Sequence, residues 1–174
     1  SLQRGADDTL WCGCGYRAPN QGGVYNLLPS SEKTELYPGD RGDVIDFSVP
    51  SQEKALLEGW HAVEGVFGNK YRWMGPRAAA RLAPASARPQ RLRIRGHAPE
   101  RCFAQGQPVR IEAHANGRPV GRWTLERTGL FILEADLEEA PEYRIELRAS
   151  PSWQCPPDDR VLTVNVSLIR LLGD

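Results

Sequence analysis

Four runs of strictly alternating apolar and polar residues constrain the fold of this chain more than any other feature of its sequence. In residues 91–95, Leu92 and Ile94 face one way and three arginines face the other. This two-residue period is typical of a strand with one buried and one solvated face. The same alternation occurs in residues 109–115, 143–149 and 162–168. Ile169 breaks the phase of the last run, which predicts a bulge or a strand end covered on both faces.

The dipeptide Asn116-Gly117 lies between two such runs. It predicts a tight hairpin, because both residue types tolerate positive φ. Residues 109–115 and 120–125 should therefore pair antiparallel. Further strands are predicted at residues 44–49, 71–74, 77–82 and 130–136, and a short helix is predicted after Ser51, ending at Gly59. A count near eight strands indicates an all-β antiparallel β-sandwich, a jelly roll, with little helix; a closed barrel is the alternative.

The first 40 residues have a different texture, because glycines and prolines recur there without helical or strand periodicity. The sequence therefore predicts an irregular N-terminal arm over residues 1–40 and a β-sandwich domain over residues 41–174. At 174 residues the chain is long enough to bury a sizeable core.

The 22 basic and 22 acidic side chains cancel, so no net field steers the chain to nucleic acid. No apolar run approaches the roughly 20 residues that a membrane-spanning helix needs. We therefore expect neither a nucleic-acid partner nor membrane insertion. No phosphate- or dinucleotide-binding motif occurs in the sequence, and no cofactor is expected.

The four cysteines leave the compartment open. Cys102 and Cys155 lie in stretches that read as loops, which makes a disulfide between them geometrically feasible. Such a bridge would close a loop of about 50 residues, contribute about 4 kcal/mol, and imply an extracytoplasmic, periplasmic or secreted protein. The alternative is four free thiols in a cytoplasmic protein. Cys12 and Cys14 belong to no set with the paired spacings of a zinc site, so no metal is predicted there.

No catalytic residue is predicted. The sequence lacks the motifs of hydrolases and metalloproteases. Glycoside hydrolysis needs two carboxyls across a sugar, and the adjacent acids Glu134/Asp136, Glu138/Glu139 and Asp158/Asp159 are interpreted as solvated surface instead. Asp40, Asp43 and Asp46 could hold calcium at a turn, but the spacing is irregular and a polar turn is the preferred interpretation.

The aromatic residues carry the strongest hint of a ligand. Their rings suit stacking on sugars as well as packing in a core, and the relevant positions are Trp60, Tyr71, Trp73, Trp123 and Trp153. Trp153 lies in a predicted loop and should be the most exposed. The face of Trp123 is not settled by its neighbours.

A resemblance rests on two stretches, Gly59-Trp60-His61-Ala62-Val63-Glu64 and Tyr71-Arg72-Trp73-Met74-Gly75-Pro76-Arg77-Ala78. They resemble a signature of small β-sandwich modules associated with bacterial surface-polysaccharide proteins, including glycosyltransferases. The Asn-Gly hairpin and the long final strand recur in the same modules, and the likeness covers residues 40–172. It implies a galactose-binding-like or carbohydrate-binding-like jelly roll, usually non-catalytic.

The resemblance and the aromatic pattern together give the candidate ligand-binding residues, which are Trp60, His61, Glu64, Trp73 and Trp153. The predicted function is a non-catalytic glycan-binding or glycan-enzyme accessory module of a bacterial protein. The alternative is a structural or protein-interaction sandwich whose partners are neighbouring domains or a second copy of the chain. Solvent exposure of the tryptophans separates the two, since a glycan site needs an exposed ring.

Overall fold

The computed structural model describes residues 3–5, 8–21, 24–25, 27, 42–66, 68–86 and 88–173. The chain divides into two compact units, Ser1–Gly39 and Asp40–Asp174. The described residues contain fifteen strands and two 3₁₀ helices. No helix in this part of the chain has the length and apolar character needed to cross a membrane.

The first unit contains a small antiparallel sheet in the order β1-β2-β3-β4. Its strands are β1 (Gln3–Arg4), β2 (Thr9–Trp11), β3 (Arg17–Gln21) and β4 (Val24–Tyr25). A disulfide joins Cys12 to Cys14 in the turn between β2 and β3. The described residues of the predicted irregular arm therefore include short strands. Strands of two to five residues are too short to show the two-residue period on which the prediction depended.

The second unit is built from eleven strands. They are β5 (Val44–Asp46), β6 (Leu56–Glu64), β7 (Tyr71–Leu82), β8 (Gln90–Ala98), β9 (Val109–Ala115), β10 (Arg118–Leu125), β11 (Gly129–Leu137), β12 (Tyr143–Ser150), β13 (Trp153–Cys155), β14 (Asp158–Leu162) and β15 (Asn165–Gly173). The 3₁₀ helices are Pro50–Ala55 and Glu100–Phe103. All the strand pairings are antiparallel, which confirms the predicted all-β class.

Strand β7 belongs to both layers of the sandwich. Its later part, from Arg77 to Leu82, pairs with β12, while Arg72 and Trp73 pair with β15. The first layer is therefore β6-β7-β12-β9-β10. The second layer is β7-β15-β8-β11, with β5 beside the later part of β15.

The core lies between these layers and follows the predicted alternation. Leu92 and Ile94 are buried, and Ile94 pairs with Ile169 on one side and Leu133 on the other. Burial of alternate residues on neighbouring strands produces one continuous apolar layer, which is the main stabilising contribution to a sandwich.

The predicted bulge and hairpin are both confirmed. The register of β15 against β8 shifts between Val166 and Leu168, and this shift turns Ile169 into the core. At the hairpin between β9 and β10, Asn116 and Gly117 have φ values of 51° and 82°. The Asn116 side chain also accepts a hydrogen bond from the Arg144 amide at 2.8 Å, which ties the hairpin to β12.

The structure corrects the predicted short helix. The helical turn ends at Ala55, and residues 56–64 continue as β6. Gly59 adopts a φ of 77° where the register between β6 and β7 shifts. The glycine that predicts a helix end is therefore the residue that permits a bulge in a strand. Strand β6 and the short β13–β14 hairpin raise the strand count above the expected eight.

Candidate functional site

A groove of about 690 Å³ lies on the outer face of the second layer. We call it the outer groove. It is lined by Tyr71 and Trp73 of β7, Asn165 and Ser167 of β15, Arg95, Gly96 and His97 of β8, Leu130 of β11, and by Asp46, Gly68, Asn69, Lys70 and Pro99. Its volume is within the range of small-molecule sites in proteins.

Strand register brings the central lining residues into one row. Trp73 pairs with Asn165, Asn165 pairs with His97, and His97 pairs with Leu130. Residues that are register partners point to the same face of a sheet, so all four side chains project outward. With strands about 4.8 Å apart, the row spans about 14 Å.

The Trp73 ring is fixed from three sides. Tyr71 and Trp153 contact it edge to face, with centroid separations of 5.8 and 5.4 Å. Its indole Nε1 donates a hydrogen bond to Glu64 Oε2 at 3.1 Å. Two aromatic neighbours and a directed hydrogen bond leave this ring little rotational freedom.

Glu64 is itself held by a charged chain. Its Oε1 accepts a hydrogen bond from Arg160 Nη1 at 2.7 Å, and Arg160 donates to both oxygens of Asp158 at 2.6–2.9 Å. The Arg160 guanidinium lowers the pKa of Asp158 to about 2. The two carboxylates in turn raise the pKa of Arg160. Asp158 therefore stays ionised at neutral pH. Each oxygen of Glu64 already accepts one hydrogen bond from the protein.

Charge in the outer groove comes from Lys70, Arg95 and Asp46. Lys70 Nζ donates to the Gly65 carbonyl at 2.9 Å, and Arg95 Nε donates to Ser167 Oγ at 3.1 Å. Asp46 Oδ1 accepts a hydrogen bond from the Ser48 amide at 2.9 Å. The Nη groups of Arg95 make no hydrogen bond or ion pair with a described residue, so they are available to a bound molecule.

Three of the five predicted site residues lie together. Trp73 lines the outer groove, while Glu64 and Trp153 support it from outside the groove lining. Trp153 is half-buried, although its loop position predicts the greatest exposure. Its Nε1 donates to the Thr163 carbonyl at 3.0 Å, and the Arg101 guanidinium lies 5.8 Å from its ring centroid.

The other two predicted site residues lie elsewhere. Trp60 pairs with the buried Met74, and its ring packs against Phe47 with centroids 5.4 Å apart. Its Nε1 donates to the Ala79 carbonyl at 2.7 Å. His61 Nε2 lies 3.2 Å from the Val161 carbonyl oxygen. Neither residue lines the outer groove, and their assignment as ligand-binding residues stays a prediction.

The face of Trp123, which the sequence leaves open, is the inner one. Trp123 pairs with the buried Ile111 and packs partly against the core. The four tryptophans of the second unit are thus all half-buried, and Trp73 is the one that lines the groove.

The possible Cys102–Cys155 disulfide is not formed. Cys102 is a free, buried thiol whose Sγ donates to the Thr163 carbonyl at 3.3 Å. Burial raises its pKa to about 11. The side chain of Cys155 lies outside the described residues.

Four of the six acidic residues considered for catalysis, Glu134, Asp136, Glu138 and Asp158, form ion pairs with arginines. Glu134 lies 2.6 Å from Arg93, Asp136 lies 3.2 Å from Arg91, and Glu138 lies 2.5 Å from Arg118. No group of three metal-ligating side chains occurs among the described residues. Of the candidate calcium turn, Asp40 lies outside them, Asp43 is buried, and Asp46 binds Ser48.

The sequence misses several groove residues. Asn165, Arg95, His97 and Leu130 occupy outward positions on strands that the sequence predicts, although the run predicted over residues 162–168 is divided between β14 and β15. Alternation gives the outward direction of each, but it does not show that the four strands are neighbours. Only the register of β7, β15, β8 and β11 brings these positions together.

Comparison with known proteins finds only distant structural similarity. No protein-family model matches the chain, and no curated protein does. Among solved structures, a family 35 carbohydrate-binding module from Clostridium thermocellum is 12% identical, with 75% of this chain and 98% of that chain covered and a TM-score of 0.46. A carbohydrate-binding module with specific mannan recognition is 14% identical, with 76% and 96% covered and a TM-score of 0.47. A domain of a multidomain xylanase from the hindgut metagenome of Trinervitermes trinervoides is 11% identical, with 75% and 96% covered and a TM-score of 0.42. Likenesses of this size are too loose to assign a ligand.

Proposed function

We propose that this chain is a non-catalytic carbohydrate-binding module whose ligand is a glycan lying in the outer groove. The observation that carries the proposal is the row Trp73–Asn165–His97–Leu130. It places a fixed aromatic ring and an exposed apolar side chain on either side of two polar groups. Sugars combine apolar ring faces with hydroxyl groups, and this mixture of surfaces suits both.

The accessory role and the compartment belong to the same proposal. The sequence signature around Gly59-Trp60 and Trp73 resembles modules of bacterial surface-polysaccharide proteins. The Cys12–Cys14 disulfide supports an extracytoplasmic location, because disulfides persist mainly in oxidising compartments. We therefore place the module outside the cytoplasm, attached to or acting with a glycan-processing enzyme.

Binding to a panel of immobilised glycans, followed by calorimetry on the best ligand, tests the proposal. Trp73→Ala should weaken binding about tenfold or more, since a central aromatic anchor often carries such a share of the affinity. Trp123→Phe is the control. Trp123 faces the core and does not line the groove, so this substitution should leave the affinity unchanged.

A second pair of variants, at exposed positions, tests the proposal even if Trp73→Ala fails to fold. Leu130 is 86% exposed and lines the groove, whereas Ile132 is 63% exposed and does not. Leu130→Ala should weaken glycan binding while Ile132→Ala leaves it unchanged. Absence of binding across the panel, or equal binding by all four variants, would refute the proposal.

A second candidate function has one observation in its favour. Leu130 and Ile132 form an exposed apolar pair on β11, and exposed apolar surface can mark a protein interface. Light scattering of the intact chain separates the two functions. A dimer that Ile132→Asp dissociates would favour the structural or interaction module.

A further inference from the structure

We propose that the glycan bound in the outer groove is acidic, and that Arg95 binds its carboxylate or other anionic group. This inference rests on the proposed function and narrows its ligand to one chemical class.

The charge pattern of β8 carries the argument. Its outward side chains are Arg91, Arg93, Arg95 and His97. Their register partners on β11 are Asp136, Glu134, Ile132 and Leu130. The first two arginines therefore face acids, whereas the last two basic side chains face apolar residues. The acids of β11 therefore neutralise the arginines of β8 outside the outer groove, but they do not neutralise the basic side chains that line it.

The contacts agree with this pattern. Arg91 and Arg93 form ion pairs with Asp136 and Glu134 at 3.2 and 2.6 Å. Arg95 donates through Nε to Ser167 Oγ, and this bond orients its guanidinium. In the part of the chain that the structure describes, no acid pairs with Arg95. An oriented arginine with free Nη groups is the arrangement that binds a carboxylate through two parallel hydrogen bonds.

The rest of the lining does not cancel this charge. Lys70 contributes a second cation and Asp46 one anion, and Asp46 is already bonded to Ser48. The groove therefore keeps a positive balance in a chain whose total formal charge is zero. A neutral sugar would leave that balance uncompensated, whereas an acidic sugar would pair with it.

The test compares acidic polysaccharides with the same polymers after carboxyl reduction. Polygalacturonate, alginate and hyaluronate are the probes, and binding is measured by calorimetry at low and at moderate salt. The intact chain should bind at least one acidic form about tenfold more tightly than its reduced form, which corresponds to about 1.4 kcal/mol. The preference should fall as salt rises.

Two matched variants locate the effect. Arg95→Gln should abolish the preference for the acidic form and keep the binding of the reduced form. Arg91→Gln removes the same charge from the same face of β8, at a position already paired with Asp136, and should keep the preference. Equal losses in both variants would indicate a diffuse charge effect and would overturn the role of Arg95.

The outcomes separate this inference from the proposed function. Trp73-dependent binding of reduced or neutral glycans, with acidic forms no tighter, would refute the acidic ligand and keep the carbohydrate-binding module. Failure of every glycan, acidic or neutral, would refute both.

Discussion

The indole N–H of Trp73 is not offered to a ligand, because Glu64 accepts its hydrogen bond. The carboxylate of Glu64 is in turn held by Arg160, and Arg160 by Asp158. The sequence places Glu64 among the ligand-binding residues, and the structure gives it contacts that orient Trp73. The sequence indicates that Glu64 has a polar role. Its hydrogen-bond partners lie on β7 and β14, and the spacing of residues does not identify them.

Replacement of Glu64 should therefore weaken glycan binding without contact between this residue and the glycan. In Glu64→Leu the Trp73 N–H loses its acceptor, and we expect about a fivefold weaker affinity, equivalent to about 1 kcal/mol for one hydrogen bond. Glu64→Gln keeps an oxygen that accepts from Trp73 and should restore most of the affinity. Calorimetric titration with the best glycan measures both.

Glu58 provides the matched control for this prediction. It lies on the same strand, β6, and pairs with Arg144 at 2.6 Å, outside the groove lining. Glu58→Leu should leave the affinity unchanged. A loss as large in Glu58→Leu as in Glu64→Leu would show that general loosening of β6, and not the orientation of Trp73, changes binding.

At the scale of elements, the pairing of β6 with β7 has three register shifts, and the one between Glu58 and Trp60 is a bulge at Gly59. A Cβ atom on Gly59 would lie 1.9 Å from the carbonyl oxygen of Arg77. The bulge also accounts for Pro76 inside β7. Pro76 falls at the register shift against β6, between the part of β7 paired with β15 and the part paired with β12. The missing N–H of proline therefore removes no bond from these ladders.

Gly59→Ala should consequently destabilise the second unit by more than the strain of a left-handed backbone alone. That strain costs about 1–2 kcal/mol for a non-glycine residue, and the overlap with the Arg77 backbone adds to it. Gly106→Ala is the control, because Gly106 also has a positive φ, 68°, but a Cβ there meets nothing within 4 Å. Urea unfolding monitored by tryptophan fluorescence gives both free energies of unfolding. Equal losses in the two variants would contradict the role assigned to the bulge.

The elements also show which parts of the fold are predictable from sequence. Alternation identified the strands of the core, and Asn116-Gly117 identified the hairpin, because both signals are local. Gly59 and Pro76 read as breaks, since each residue type interrupts regular structure in isolation. Here Gly59 on β6 is accommodated by β7, and Pro76 on β7 is accommodated by β6. A local sequence pattern does not show which strand lies alongside.

For the whole molecule, the two units differ in what stabilises them. Among the described residues, the hydrophobic core cluster extends from Ile45 to Leu171, and Ala18 of the first unit is buried outside that cluster. In the first unit, Asp8 between β1 and β2 accepts hydrogen bonds from Asn20 and Tyr25 at 2.5 and 2.6 Å. The second unit thus contains both a complete core and the outer groove.

A fragment of residues 40–174 should fold alone and bind glycan with the affinity of the intact chain. The reason is that the core and all groove residues lie within it. Thermal unfolding by circular dichroism and calorimetric titration of fragment and intact chain test this. Loss of the cooperative transition, or an affinity more than threefold weaker, would show that residues 1–39 contribute to the second unit.

The class of fold and the outward direction of most groove residues could be predicted from the sequence, whereas the groove itself could not. Trp73, Asn165 and His97 become neighbours only through the order of β7, β15 and β8. Strand order depends on the packing of the whole chain, whereas periodicity shows only which face of a single strand is buried. For the same reason Trp60 and Trp73 look equivalent in sequence, although the half-buried Trp60 packs against the core and Trp73 lines the groove.

The row across β7, β15, β8 and β11 has a consequence for the evolution of specificity. The spacing of its four side chains is fixed by peptide hydrogen bonds, and loop lengths do not affect it. Insertions and deletions elsewhere in the unit can therefore accumulate without altering the distances between these contacts. A descendant of this protein that changes its preferred glycan would do so by exchanging side chains at the row positions 73, 97, 130 and 165, and at position 95 beside the row, on an unchanged backbone.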